Sequence, residues 1–404
     1  MSAVANIASR VRRVGAMEAG ELLVDAVGGV RVVTLHRPSK RNVLSRAMVA
    51  DLLRVWRECE ASDDVKCVVL RGGGDFPCLC AGGDVRAVHD LRPPPGEARR
   101  GAPPPGALEF FEREYEMNAF LAAMRTPHVA IMDGIVMGGG CGVSIHGAFR
   151  VATERTLLSM PECAIGLVPD VGGTHFLARL PGETGTRLAL TGARVGAADA
   201  LATGLATHLI PSADVPKLVD ILDRATRHAA SADAARDAAA AALDATQLAA
   251  ADAVAAFNLG PGASRRADDD EWFAGDTIDE IRDALARAAG EGNARARESL
   301  SAMDDASPSS LATTLAMLRR SRAARAGLRE CLREELRAVA ACLSRDDFYE
   351  GVRAKLVEKG RGAGPKWAPP VDHSSAAPGE GAEAAAARFS AAVGLDDETS
   401  PSRL

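Results

Sequence analysis

The apolar positions of this chain fall into short dense runs in its first half and into longer helical stripes in its second. Residues 30–35 form a run of strand length, a polar turn covers 36–42, a helical spacing runs from 45 to 59, and a second run covers 67–70. Short apolar runs bounded by turn residues predict strands, so this stretch reads strand, helix, strand. The alternation returns at 129–132, followed by a glycine-rich segment opening a helix and by an apolar run at 149–152. Residues 20–213 therefore read as an α/β domain. Within it, residues 93–106 carry six prolines and three glycines, which predicts a mobile surface insertion.

From residue 214 the chain turns to helix formers, with an alanine-rich stretch at 229–256 and periodic segments at 278–289 and 311–343. Ser307-Pro308 is a start signal for the last of these, since Ser offers a capping oxygen and Pro suits the first turn. Residues 214–370 thus read as all-helical, and 371–404, rich in Ala, Gly, Ser and Pro, as a mobile tail. The first 19 residues read as a targeting or disordered segment, with Arg10, Arg12 and Arg13 ahead of any acid. The sequence closes on Ser402-Arg403-Leu404, one Lys-to-Arg exchange from the peroxisomal address Ser-Lys-Leu. A peroxisomal location is the expectation from that end, and a mitochondrial one is the alternative from the other.

Composition narrows the chemistry. With 48 Lys and Arg against 54 Asp and Glu the chain is mildly acidic and lacks the basic footprint of a nucleic-acid binder. The most apolar stretch, 129–145, holds Asp133 and five glycines, so no membrane span is expected. The eight cysteines form no C-x-x-C pair and read as reduced thiols without a metal; His128, His146 and His175 show no metal-ligand spacing.

Two glycine motifs sit at strand exits: Ala81-Gly82-Gly83-Asp84 and Gly138-Gly139-Gly140-Cys141-Gly142. Glycine there lets a ligand oxygen approach main-chain N–H groups, and two such donors on one oxygen make an oxyanion hole; tight packing turns are the bland account. Downstream, Glu162 and Asp170 lie in an apolar, glycine-punctuated segment, where desolvation raises carboxyl pKa values toward the range of general acids and bases. Helix capping and turn formation would explain them equally. Ser144 begins a G-x-S-x pattern but lacks the second glycine of a nucleophile elbow. The glycine runs spell neither G-x-G-x-x-G nor a phosphate loop with Lys.

The order of these motifs resembles the crotonase superfamily, whose members act on acyl-CoA thioesters. More narrowly, Ser144 to Glu154, Met160-Pro161-Glu162, Pro169-Asp170-Val171-Gly172-Gly173, Asp347 to Ala354 and Pro365-Lys366-Trp367 resemble the 3-hydroxyisobutyryl-CoA hydrolase family over about residues 20–370. The resemblance implies a crotonase-like fold of repeated β-β-α turns with a helical C-terminal extension. It implies an oxyanion hole from the N–H groups of Gly83 and Gly139, an acyl pocket of Glu114, Glu162 and Asp170, and CoA lying across Lys40, Arg41 and Asn42 and the loop from Ala81 to Asp84. The implied substrate is an acyl-CoA, with CoA part of the substrate and no separate cofactor.

Where a hydratase of the superfamily carries its first catalytic glutamate, this chain has Gly142, which favours hydrolysis. The implied reaction is thioester hydrolysis of 3-hydroxyisobutyryl-CoA in valine breakdown. The 3-hydroxypropionyl ester, an enoyl-CoA hydratase or isomerase activity, and a non-catalytic role in an organellar ribosome stay open as alternatives, as does a homo-oligomer. Cys163 after the first carboxylate and Cys78-Leu79-Cys80 before the oxyanion loop depart from the hydrolase pattern.

Overall fold

The computed structural model describes residues 12–16, 20–92, 103–247, 265–369 and 380–394. The strands among them are β1 (Arg12–Ala16), β2 (Leu22–Val27), β3 (Val30–Leu35), β4 (Cys67–Gly72), β5 (Cys78–Cys80), β6 (His128–Met132), β7 (Ile135–Met137), β8 (Phe149–Ala152), β9 (Leu157–Ser159), β10 (Val195–Gly196) and β11 (His208–Leu209). One sheet runs β1-β2-β3-β4-β6-β8-β11 and a smaller one β10-β9-β7-β5. The pairs β4–β5, β6–β7 and β8–β9 each give their first strand to the large sheet and their second to the small one. A short helix or 3-10 turn follows each pair, at Val85–His89, Gly139–Gly142 and Glu162–Ile165. This is the repeated β-β-α winding expected from the resemblance.

The chain forms two compact units that cut across the sequential division at residue 213. The first gathers the described residues of Met1–Gly83, Phe120–Leu158 and Val195–Gly262; the second those of Asp84–Ala119, Ser159–Arg194 and Ala263–Leu404.

In the first unit β3, β4, β6 and β8 run parallel, with Val30 opposite Cys67 and Val129 opposite Phe149. Parallel strands covered on both faces read as unbroken apolar runs, which is why these four were visible in the sequence. Val30, Val32, Val69, Val129, Ile131 and Val151 pack with Leu218, Leu222, Ala239 and Leu243 of the Val215–Thr226 and Ala232–Asp244 helices. The helix expected over 45–59 is Arg46–Glu60, with Ser45 Oγ accepting from the Met48 N–H at 3.1 Å. Residues 12–16 of the segment expected to target or to be disordered form β1, antiparallel to β2.

The second unit is helical. Its core joins Leu190 and Cys163 to Trp272, Phe273, Ile281, Leu285, Met303, Leu311 and Leu315. The segment expected as one stripe over 311–343 is two helices, Pro308–Ala324 and Leu328–Leu343, because Arg325 turns left-handed at φ 49° and Gly327 caps the second. Ser307 caps the first, as its sequence predicts. The tail expected to be mobile contains a helix, Glu380–Val393, packed on Leu328–Leu343. Ala382, Ala385, Ala386 and Phe389 repeat at helical spacing and are buried, so small residues that resembled linker composition supply an apolar face. Most of the proline-rich insertion and the terminal Ser-Arg-Leu lie outside the described residues.

Candidate active site

In the first unit, β5 and β7 are parallel neighbours, so their glycine-rich exits leave side by side. Gly82 has φ 119° and Gly138 φ 49°, conformations that side chains disfavour. A Cβ on Gly140 would lie 2.4 Å from the Cys80 carbonyl oxygen. Gly140 is therefore required by the close approach of the two exits, and Gly82 and Gly138 by their backbone conformation. Gly139 opens the Gly139–Gly142 helix, where an N–H has no acceptor within the helix. Leu44 donates its N–H to the Gly82 carbonyl at 2.8 Å and bridges Gly83 in parallel register, a pattern that leaves the Gly83 N–H outside the ladder. Two backbone donors thus stand at adjacent strand exits, the arrangement an oxyanion requires.

The residues expected along CoA divide by role. Arg41 and Asn42 are both left-handed, with φ near 53° and 54°. The buried Asn42 side chain accepts from the Arg37 N–H at 2.9 Å and donates to the carbonyls of Gly73 at 3.1 Å and Cys78 at 2.9 Å. It braces the loop before β5, while Lys40 is exposed. The Ala81 N–H donates to the Arg41 carbonyl at 3.0 Å, and Asp84 caps the Val85–His89 helix through the Ala87 N–H at 3.2 Å.

Ser144 is buried, and its hydroxyl donates to the Gly140 carbonyl at 2.7 Å. That bond explains it as a structural serine. His128 is buried edge-on to Trp56, and desolvation pushes its imidazole down to about 3, so it is neutral. All eight cysteines are buried and unbridged, and among the described residues no group of three or more His, Cys, Asp or Glu is arranged to hold a metal.

The second unit brings Glu114, Glu162 and Asp170 together. Glu114 lies on the Ala107–Ala123 helix, Glu162 opens a 3-10 turn, and Asp170 sits in the loop before the Gly173–Leu177 helix. Each is at most 6% exposed. Glu114 Oε1 and Glu162 Oε2 are buried without a hydrogen-bond partner. Burial, and then the Asp170 charge, hold both glutamates well above the usual carboxylate range. Burial pushes Asp170 up to about 7, against the opposing pull of a hydrogen bond from Tyr115. Acids kept near neutrality by desolvation and by one another have the character of general acid and base groups.

Two further residues belong to this cluster. The Tyr115 hydroxyl donates to Asp170 Oδ2 at 2.7 Å, and Tyr115 is fully buried. Glu335, on the Leu328–Leu343 helix, is fully buried and accepts from Gly172 and Thr174. The sequence held a signal for Glu335: it occupies the apolar stripe of Leu328, Cys331, Leu332, Leu336 and Val339. Elsewhere in this unit Arg86, Arg353, Lys359 and Arg361, with Glu358, line a basic cleft of about 730 Å³.

The sequence model of the family described as enoyl-CoA hydratase/isomerase matches residues 30–377. 3-Hydroxyisobutyryl-CoA hydrolase 1 of Arabidopsis thaliana is 40% identical over 360 residues, covering 86% of this chain and 87% of that protein. The mitochondrial 3-hydroxyisobutyryl-CoA hydrolase of Xenopus laevis is 38% identical, covering 87% and 85%. Among solved structures, a carnitinyl-CoA dehydratase from Mycobacterium thermoresistibile superposes with a TM-score of 0.73 at 35% identity, over 90% of this chain and 96% of that one. The winding agrees with these matches, and the chain belongs to the 3-hydroxyisobutyryl-CoA hydrolase family of the crotonase, or enoyl-CoA hydratase/isomerase, superfamily.

Proposed function

We propose that this protein hydrolyses the thioester of 3-hydroxyisobutyryl-CoA to 3-hydroxyisobutyrate and free CoA, a step of valine catabolism. The observation that carries the reading is the buried set of Glu114, Glu162 and Asp170, each held above the usual carboxylate range, in a chain whose relatives bear that hydrolase name. As the carbonyl becomes tetrahedral its oxygen gains charge, which the N–H groups of Gly83 and Gly139 stabilise more than the ground state. Glu162, with Oε2 free of partners, attacks the carbonyl and expels the CoA thiolate to leave an anhydride that water then cleaves, or draws the proton from a water whose attack breaks the C–S bond and releases the same thiolate. Asp170, held through one oxygen by Tyr115, takes the substrate 3-hydroxyl, and Glu114 lines the acyl pocket. Lys40, Ala81 and Asp84 belong to the segments assigned to CoA, and Asn42 acts by bracing the loop before β5.

The solved relatives named dehydratase and hydratase raise hydration of a double bond as a second reading. Gly142, buried and without a side chain, speaks against the two-glutamate mechanism. Several relatives carry "mitochondrial" in their names, which favours that organelle over the peroxisome. Among the described residues no helix is long and apolar enough to cross a membrane.

Free-thiol release from 3-hydroxyisobutyryl-CoA, 3-hydroxypropionyl-CoA, isobutyryl-CoA and crotonyl-CoA at equal concentration tests the reading. Selective release from the hydroxylated esters is expected, fastest from the first. Folded protein that releases no thiol from any of them, or that consumes crotonyl-CoA instead, would overturn it.

A further inference from the structure

Glu335 is a carboxylate where the helix that carries it calls for an apolar residue. It is 0% exposed and comes from the helical region, yet its bonds reach back 161 to 163 residues in sequence. Oε2 accepts the Gly172 N–H at 2.7 Å; Oε1 accepts the Thr174 N–H at 2.8 Å and the Thr174 hydroxyl at 2.5 Å. Three donors converging on two oxygens fit an acceptor-only group, the ionised carboxylate.

The turn held in this way begins at Asp170. Val171 follows at φ 52° and Gly172 at φ 82°, so a β-branched residue sits in the left-handed region directly after Asp170. Such a conformation persists only where the surroundings over-determine it. Here the determinants are the Asp170 carbonyl accepting from Gly173 at 2.6 Å on one side and Glu335 gripping Gly172 and Thr174 on the other.

The ionisable groups that interact with Glu335 are Asp170, Glu162, Tyr115 and, one turn back on its own helix, Cys331, on which Arg179 also acts from beyond the Gly173–Leu177 helix. Burial pushes Glu335 itself up to about 8, with its hydrogen bonds from Thr174 and Gly172 pulling the other way. A buried carboxylate without an ion-pair partner destabilises a fold relative to an apolar residue of similar size, so packing alone does not account for it.

Resting on the hydrolase reading above, we propose that Glu335 is a positioning residue for the reaction: it fixes the turn that presents Asp170 and, once ionised, places a negative charge behind the Glu162 carboxyl. The helical region thereby contributes to the chemistry through a residue that touches no reacting atom. Replacing the carboxylate by a neutral amide loosens the turn and makes Glu162 easier to ionise, so rate and pH dependence change together.

The test uses the full-length protein and its Glu335→Gln and Glu335→Asp variants, with thiol release from 3-hydroxyisobutyryl-CoA followed against pH. Glu335→Gln is expected to lower kcat at least tenfold with KM within threefold, and to move the ascending limb of kcat/KM down by roughly one pH unit. Glu335→Asp, which keeps the charge, is expected to return the limb to its wild-type position. A folded Glu335→Gln protein with wild-type kcat or an unmoved limb overturns the proposal. Carboxyl 13C titration of Glu162 in wild type and Glu335→Gln reads the same coupling without turnover. An unmoved Glu162 there refutes the Glu335 role, whereas inactive wild-type protein with a shifted Glu162 refutes only the hydrolase reading. If Glu335→Gln does not fold, Thr174→Val removes one donor to Oε1 and keeps the charge; a kcat lowered at least threefold supports the proposal, and a wild-type kcat overturns it.

Discussion

The Tyr115 hydroxyl meets Asp170 Oδ2 at 2.7 Å in a space closed to solvent, and this bond opposes the burial that drives Asp170 upward. It comes from the residue next to Glu114, so one helix supplies both a wall of the acid cluster and the donor that restrains its most easily ionised member. A hydrogen bond to a charged group contributes about 1.5 to 3 kcal/mol. Tyr115→Phe is therefore expected to lower kcat/KM by about tenfold or more and to move its ascending limb to higher pH, the direction opposite to Glu335→Gln. A pH profile of thiol release checks the sign.

Glu162 carries the reacting oxygen in the proposed mechanism, and Oε2 has no partner to hold it elsewhere. Glu162→Gln keeps the shape and removes the base. Turnover is expected to fall by roughly 10² to 10⁴-fold while the binding of CoA, followed by calorimetry, stays within threefold. Turnover near that of the wild type would assign the chemistry to another group.

Burial of the acids also shapes stability. Asp170 rises from 3.8 to about 7 and Glu335 from 4.5 to about 8 on folding, so the native state binds protons more tightly than the unfolded chain. Their contribution is fully present below pH 3.8 to 4.5 and is lost as pH rises through 7 to 8. Tm is expected to fall between pH 5 and pH 8, and Asp170→Asn to flatten that slope, as scanning calorimetry at fixed ionic strength would register.

Gly140 is neither of the proposed oxyanion donors, but a Cβ there meets the Cys80 carbonyl at 2.4 Å. Gly140→Ala forces the exits of β5 and β7 apart. Loss of one oxyanion donor typically costs 10² to 10³ in kcat, and a drop of about that size, with KM little changed, is the expected kinetic result.

Legibility in the sequence followed the strength of the local signal. β3, β4, β6 and β8 were readable because burial on both faces demands unbroken apolar runs. Their partners β5, β7 and β9 are three residues long, too short for any period to show, and β10 and β11 are two. The break at Arg325 was hidden because apolar spacing continues across it, and the Glu380–Val393 helix because alanine is equally at home in linkers and in helix contacts. In the site, Glu162 and Asp170 stood out as acids among apolar neighbours. Tyr115 did not, since a tyrosine in an amphipathic helix needs no special explanation until its hydroxyl partner is known. Glu335 was embedded in the charged run from Arg329 to Glu335, where only helical phase separates the buried acid from its exposed neighbours.

The long reach of Glu335 has a consequence for biosynthesis. At roughly 5 to 20 residues per second, a ribosome needs on the order of 10 to 30 seconds to pass from Thr174 to Glu335. Until then the nascent chain already carries Glu114, Glu162 and Asp170 but has no acceptor for the Gly172 and Thr174 amides. The acids are made early, and on the proposed role of Glu335 they are set in place only after synthesis has passed residue 335.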